Sequence, residues 1–440
     1  DGNYDPIYVG NGHVVPNCNG TLVIQPGAVL DVTGDFNDTF VIGRDGGSGK
    51  VVQNGGTFTF NPANPSLMLI CATDVAGTAA AYDMNGGLLD MGNKTLGAGY
   101  AVNGAVTTGR VNQAGGVITN LNALELGPQE SGGLGIYTLT GGNIYLGAGG
   151  ITTGGGSYAI NLGGGTVGAY ASWASALSMN LTGSNGPVTF DTAANTITLS
   201  GLVYGYGGLT KIGSGTLILS GGTSYLGNTT VKAGTLEMDL TGSSASAFYL
   251  TNGASLNLNS GGTYVVGALY TNNISLSNGT YTSGNLPGFI TGTNALQVVS
   301  IAISYSLSGS NLTLSWPVNY LGWVLQEQTN SLAVRAGDNW VDVAGSANVT
   351  STNILISPVT PTAFFRLSPP PLPSVPPLTR QMLITNNLLN LPVNNNGPSR
   401  RVTIIVNGIP VRDFDINLAD GTPDWWAFVD VSAFKGQTAT

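Results

Sequence analysis

The chain has 440 residues and 42% hydrophobic content, enough for sizeable cores in about three domains, so disorder is excluded. Only 8% of residues are charged while 67 are Gly, and Thr, Ser, Asn and Gly stand where amphipathic helices would carry charge, which excludes an ordinary helical enzyme and leaves an all-β chain. A balance of 13 basic against 22 acidic residues repels phosphate backbones and anionic lipid, so nucleic acid is not an expected partner.

The chain opens at Asp1 without Met, basic n-region or apolar h-region, as a processed form of an exported protein would. Apolar runs such as Ser66–Cys71 stay far short of the roughly 20 residues that span a bilayer, so no membrane span is expected. Cys18 and Cys71 are the only cysteines, and two readings stand: two small buried hydrophobes, or a bridge. Two solenoid turns would separate them by about 9.6 Å, beyond the roughly 7 Å that a disulfide tolerates.

From Gln53 onward, paired glycines followed by an apolar strand recur, at Gly55-Gly56, Gly86-Gly87, Gly115-Gly116, Gly141-Gly142 and Gly163-Gly164, with first-Gly spacings of 31, 29, 26 and 22. A drifting period suits a solenoid whose turns tolerate insertions, whereas a propeller would hold a fixed one. The reading is a right-handed parallel β-solenoid (β-helix) over 1–296, with each Gly-Gly supplying positive φ at a corner and each apolar run stacking inward. Asn112, Asn120, Asn122 and Asn161 are candidates for corner residues and amide ladders, with no functional role assigned.

Between 207 and 240 the repeat sharpens into Gly213-Ser214-Gly215-Thr216-Leu217, a turn from Ser220 to Gly227 and a strand from Thr229 to Leu236. This segment resembles the autotransporter-associated β-strand repeat. The resemblance implies a secreted bacterial β-helix, export and surface display, and no catalysis.

Over 301–368 the pattern changes to alternating strands, as in Ser306 to Pro317 and Phe364 to Leu367, with Trp316, Trp323 and Trp340 expected to fill a small sandwich core. It resembles the immunoglobulin- or fibronectin-type end modules of secreted proteins from Verrucomicrobia-like bacteria. Residues 369–379, containing Pro369-Pro370-Pro371 and Pro376-Pro377, read as an extended linker. Residues 380–440 read as strands joined by polar turns, with Asn407-Gly408 a hairpin signal. They resemble the N-terminal accessory module of glycoside hydrolase family 32 levanases. That family's catalytic propeller, with its Trp-x-Asn-Asp-Pro motif, is not in the sequence, so no catalytic residue carries over.

Several clusters carry residue types that could support chemistry. Asp31, Asp35 and Asp38, and again Asp413, Asp415, Asp420 and Asp424, could supply a glycosidase carboxylate pair, but hydrated turns explain both groups. A Ser triad would need His13, the single histidine, and no Gly-x-Ser-x-Gly elbow accompanies it. A lyase would need clustered basic groups, yet Arg44, Lys50, Lys94 and Arg110 are scattered along the chain. Asp45-Gly46-Gly47-Ser48-Gly49 resembles a single copy of a calcium-binding nonapeptide without the tandem stacking such sites use. No catalytic, metal or cofactor residue is therefore assigned. The expected function is a non-catalytic extracellular scaffold, adhesin or glycan-contacting stalk, with extracellular polysaccharide or a second copy of the chain as partner. Head-to-tail filaments are expected, because residues 1–20 read as a strand seeking a partner and the last strand breaks off near Lys435 to Thr440. The alternative is the accessory part of a secreted family 32 fructan hydrolase.

Overall fold

The computed structural model describes residues 7–12, 18–32, 40–60, 68–101, 105–129, 132–238, 242–259, 262–300, 302–329, 340–356, 363–368, 382–394, 399–406, 409–419 and 423–439. Among them the backbone is almost wholly β, the helical turns being Val318–Tyr320, Ser346–Asn348 and Ser432–Phe434. Contacts divide the chain into two compact units, Asp1–Leu372 and Pro373–Thr440.

The first unit begins as a parallel β-solenoid. Ile7–Asn11, Phe40–Arg44 and Met68–Thr73 stack as one face, Asn19–Ile24, Ser48–Gln53, Ala79–Met84 and Thr107–Gln113 as a second, and Val29–Val32 and Thr57–Phe60 as a third. From Leu88 the third and first faces are joined in single long strands, Leu88–Ala101, Val117–Leu126 and Asn143–Thr153, which bend at left-handed residues such as Asn93 and Asn120. From Trp173 a separate six-stranded parallel sheet runs to Ile290–Gly292.

The glycine pairs do two jobs. Gly116 has φ +69°, which an L side chain rarely adopts, while a Cβ on Gly115 would lie 2.3 Å from the carbonyl oxygen of Asn85 one turn below. The second glycine turns the corner and the first lets two turns approach. A different set pinches the faces together. Gly10, Gly43, Gly99 and Gly127 all have positive φ, and Cys71 occupies the equivalent place on its own turn at φ +62°. Opposite them, inward-facing Gly20, Gly49 and Gly109 leave no room for a side chain: a Cβ on Gly109 would sit 2.2 Å from Gly99 N.

Two kinds of interior follow. In the early turns, register stacks Val51, Tyr82, Val111 and Tyr137 in one column and Gln53, Met84, Gln113 and Leu139 in the next. Each buried tyrosine donates its hydroxyl to the glutamine of the preceding turn, Tyr82 to Gln53 and Tyr137 to Gln113 at 2.8 Å. Gln53 and Gln113 in turn donate to the carbonyls of Leu88 and Asn143, both at 2.9 Å. Burial raises both phenol pKa values, so these groups stay neutral donors. In the later turns one interior column is wholly aliphatic, Ile197, Leu217, Leu236, Leu256 and Ile290, while Phe190, Tyr225, Phe248 and Tyr264 fill other inward positions.

The outside explains how a chain with so few charges is solvated. Thr166, Thr189, Thr210 and Thr230 stack on successive turns and are continued by Tyr249 and Tyr270, whose rings are parallel at 4.6 Å. A second hydroxyl column, Thr196, Thr216, Thr235 and Ser255, runs along the six-stranded sheet. Each column replaces the charged stripe of a helix with one hydroxyl per turn, spaced about 4.8 Å apart.

In the final turn, in place of a bare edge, Ile274–Ser275 pairs antiparallel with Tyr270–Thr271, and Gly279–Tyr281 pairs antiparallel with Leu296–Val298. Antiparallel strands interrupt the parallel stacking and blunt the edge without any helix. Beyond it lie two three-stranded antiparallel sheets, one of Ser304–Ser308, Asn311–Ser315 and Ser351–Leu355, the other of Val341–Asp342, Val324–Thr329 and Ala363–Ser368. Their core is Leu314, Trp316, Tyr320, Leu325 and Leu367, with Trp323 packed against it. Trp340 departs from expectation: it lies outside this core with the Arg366 guanidinium 4.3 Å over its ring.

The second unit pairs Leu388–Val393 with Trp425–Asp430 and Ser399–Val406 with Ile409–Asn417, all antiparallel, around Ile384, Ile404, Val406, Val431 and Ala439. Its last strand, Thr438–Ala439, pairs with both Met382–Leu383 and Val406, so the edge expected to seek another chain is engaged within its own unit. The expected linker core, Pro369 to Pro377, and the Asn407-Gly408 turn lie outside the described residues.

Candidate functional site: the outer surface of the second face

The second face carries the most polar chemistry of the solenoid. Side chains alternate in and out along its strands, and register stacks the outward ones into columns. In one column Asp83 follows Val52 and is followed by Asn112, Thr138, Asn161 and Asn180. Asp83 Oδ2 accepts from Lys50 Nζ at 2.8 Å and Oδ1 from Asn112 Nδ2 at 2.8 Å, and Asn180 donates to Asn161 at 3.1 Å. The Lys50–Asp83 pair is partly exposed, so its role is to orient the ammonium more than to stabilise the fold.

The neighbouring column is Thr21, Lys50, Ala81 and Arg110. Lys50 and Arg110 stand on the turns to either side of Ala81, about 9.6 Å apart along the stack. Ala79 and Ala81 are short where their neighbours are long, and the result is a shallow open trough of about 340 Å³. Its floor is Ala79 to Ala81, its rim Asn19, Thr21 and Ser48, and its two sides Lys50 and Arg110. The expectation that these cations are scattered is thus corrected for Lys50 and Arg110: 60 positions in sequence are two turns of the solenoid.

The other residues singled out from sequence do not converge. Arg44 donates to Tyr8 Oη at 3.0 Å, lies 5.2 Å over that ring and pairs with Asp45 at 3.4 Å. Lys94 is buried, and desolvation lowers its pKa. Asp31 is hydrogen-bonded to the Thr59 hydroxyl on the next turn. Asp35, Asp38, His13 and Asp420, and the side chains of Asp413 and Asp415, lie outside the described residues. Asp45 and Gly46 form a turn closed by Gly47 N donating to Arg44 O at 2.8 Å, with Gly46 N donating to Thr73 Oγ1, and Ser48 and Gly49 already belong to the next strand. Among the described residues no three His, Cys, Asp or Glu side chains gather as metal ligands. Cys18 is exposed and Cys71 buried, both unbonded, so the picture of two buried hydrophobes holds for Cys71 alone; burial pushes that thiol up to about 11.

Asn112 and Asn161 sit within strands, not at corners, and Asn112 and Asn120 donate to Asp83 and Asp90 in place of other amides. Asn85 and Asn54 do form an amide pair, at 2.9 Å.

One cation escaped the sequence reading altogether. Lys211 is fully buried, and its Nζ lies 2.8–3.0 Å from Thr192 Oγ1 and the carbonyls of Ile212, Gly213 and Ala233. Burial pushes its pKa down to about 8, partly opposed by the Asp191 carboxylate. It works as an internal clamp across three turns. The signal was present: Lys211 shares the inward parity of Leu209 and the register of Val231.

These turns are the ones that comparison with known proteins identifies. A family model for the passenger-associated-transport repeat matches residues 209–238. The adhesin BmaC autotransporter of Brucella suis biovar 1 (strain 1330) is 31% identical over 285 residues, covering 51% of this chain and 8% of that protein. An extracellular serine protease of Serratia marcescens is 46% identical over 68 residues, covering 16% of this chain and 6% of the protease. The chain therefore spans less than a tenth of either relative's length. No solved structure matches it. The repeat and both relatives make the chain similar to autotransporter passengers and support a secreted or cell-surface location.

Proposed function

We propose that this chain is part of a non-catalytic surface passenger, an adhesive stalk that presents its outer faces to extracellular material. The observation that carries the reading is the stacked transport repeat at 209–238 set within a solenoid that is similar, across half the chain, to an adhesin. The chemistry agrees. Buried polar groups are spent on holding turns together, as in the Lys211 clamp and the Tyr–Gln pairs, while the outer faces offer hydroxyl and amide columns suited to many weak contacts. Trp426 and Phe428, exposed on one face of the second unit's Leu388–Val393 and Trp425–Asp430 pair, add rings on which a sugar could stack.

The test is display of 1–440 on a non-adherent bacterial surface. Binding to host cells or extracellular matrix above the level of cells displaying an unrelated β-helix is expected, and equal binding would refute the adhesive reading. Purified 1–440 should release no sugar from levan or inulin; turnover that survives removal of contaminants would refute the non-catalytic part.

A second reading, an accessory module of the family 32 kind in a longer fructan-active protein, rests on the sequence resemblance of 380–440, to which the antiparallel pairing adds only strand arrangement. Its test is the coding sequence downstream: a propeller carrying a Trp-x-Asn-Asp-Pro motif supports it, and continued solenoid or a membrane barrel ends it. Filament growth through the last strand is the weaker proposal, since Thr438–Ala439 is already paired.

A further inference from the structure

We propose that the outward face of the second unit's Leu388–Val393 and Trp425–Asp430 pair is a binding site for a neutral polysaccharide built of pyranose units with equatorial hydroxyls. The inference deepens the surface-contact reading and rests on it for its biological use, but its test is a binding assay without cells, so the two can fail separately.

Register defines the face. Side chains alternate along each strand, and Leu389 and Val429 pack against the core of the unit, so the residues between them point outward. Across the pair these stand opposite one another as Leu388 with Asp430, Asn390 with Phe428 and Pro392 with Trp426. Trp426 is 57% exposed and Phe428 70%, where Trp316 in the sandwich core is 5% exposed. A fold gains by burying such rings, so two left in water side by side mark a contact surface.

Chemistry selects the ligand. A pyranose with equatorial hydroxyls carries its C–H groups on two flat faces and its hydroxyls around the edge. Trp426 and Phe428 follow each other about 6.8 Å apart along one strand, of the order of one sugar unit, so consecutive sugars can lie on consecutive rings. The edge hydroxyls then meet polar groups beside the rings, the exposed Asn390 amide across from Phe428 and the Asp430 carboxylate two residues further on. Asp430 Oδ1 accepts from Ser432 N at 2.9 Å, which fixes the carboxylate and leaves it further acceptor sites.

Charge and size exclude the rivals. Of the six outward residues Asp430 alone ionises, and Arg412 gives its guanidinium to the backbone carbonyls of Val411 and Asp430. An acidic saccharide therefore finds no counter-charge on the face, in a chain that already carries a formal −9. Two strands of six residues make a surface of about 20 Å by 10 Å, roughly 200 Å². That is about a quarter of the roughly 800 Å² each partner gives to a specific protein interface, but it is enough for a short run of sugars.

The test is calorimetric titration of the whole chain with two β-glucan oligosaccharides of different linkage, cellohexaose and laminarihexaose, with an inulin-type fructo-oligosaccharide and with hexagalacturonate. Saturable binding of at least one glucan probe is expected, with a Kd of about 1 mM or tighter and no loss on adding salt. Trp426→Ala and Phe428→Ala should each weaken it at least about tenfold. Tyr206→Ala, which removes a ring 59% exposed on the solenoid, should bind like the parent chain. Both ring changes are on the outer surface, and an unchanged melting temperature certifies the fold. The inference is overturned if neither glucan binds, if hexagalacturonate binds as well as the glucans, if the fructo-oligosaccharide alone binds, or if both ring variants bind like the parent. Light scattering that finds a dimer of the parent chain, dissolved by Trp426→Ala, would also overturn it and give the face to a second copy.

Discussion

The solenoid's early turns and its transport-repeat turns use one architecture in opposite ways. Between Val51 and Ile160 successive register partners are 31, 29, 26 and 23 residues apart; between Ile197 and Leu256 they are 20, 19 and 20. The long turns have spare chain, and with it come paired glycines, phenol–amide ties and an outer surface varied enough to form a trough. The short turns have none to spare. Their six-stranded sheet turns an aliphatic column inward and a hydroxyl column outward, their buried phenol at Tyr225 is paired locally with Thr229, and a single buried ammonium ties their corners. Regularity thus belongs to scaffold and irregularity to surface relief, which is why the alanine-floored trough lies outside the segment that matches the transport repeat.

Four changes would break or sharpen this contrast. The largest effect should come from Gly109→Ala, because the added methyl meets backbone on both sides of the pinch, with no flexible side chain to yield. We expect a loss of about 3 kcal/mol by chemical denaturation, and a silent substitution would show that the faces are not locked there.

Next is Lys211→Met in the repeat turns, which strands the Gly213 and Ala233 carbonyls and should cost about 2 kcal/mol. Here pH separates the clamp from mere packing. The folded ammonium titrates near 8 and the unfolded one at the ordinary 10.5, so between these values the unfolded chain binds more protons. Raising the pH through that window should therefore favour the folded parent chain relative to Lys211→Met, with a constant difference below pH 8. A flat difference across the whole window would mean that the amine is not desolvated.

Tyr82→Phe leaves the buried Gln53 oxygen without its donor and should cost about 1 kcal/mol. The same deletion at an outward tyrosine such as Tyr206, 59% exposed, should cost nothing measurable. If both behave alike, the interior ties of the early turns are ornamental.

Smallest of all is Cys71→Gly. It relieves a left-handed non-glycine residue but gives up a small buried side chain and adds chain entropy, so the net should stay within about 1 kcal/mol of zero. A loss well beyond that would show that the thiol, donating to Thr78 O at 3.3 Å, matters more than the strain.

The sequence made the corners and the repeat readable because both are backbone demands: Gly116 and its equivalents must reach positive φ, and Thr216-Leu217 with Thr235-Leu236 repeat the same in–out step. It did not make the trough readable. Ala79-Ala80-Ala81 looks like filler in a strand, and becomes a floor only when register sets Lys50 and Arg110 on its two sides. Lys211 was missed because a cation at an inward position contradicts the apolar pattern, even though its parity was correct. Residue type alone places Trp340 in a core, whereas Arg366 offers its ring a cationic partner outside it.

The alternation of Tyr82 over Gln53 and Tyr137 over Gln113 bears on how such a protein can grow by copying its own gene. Each tie joins one turn to the next but not to the one after, so the unit that closes on itself is a pair of turns. Excising one turn would bring Val111 where Gln53 expects Tyr82, leaving a buried amide stranded; excising two would bring Tyr137 to Gln53 and restore the pairing. Recombination between adjacent turns should thus be purged in this half of the solenoid, and slippage by two turns tolerated, while in the short-turn half the Lys211 clamp, reaching Thr192 on one turn and Ala233 on another, forbids loss of a turn only in its own neighbourhood.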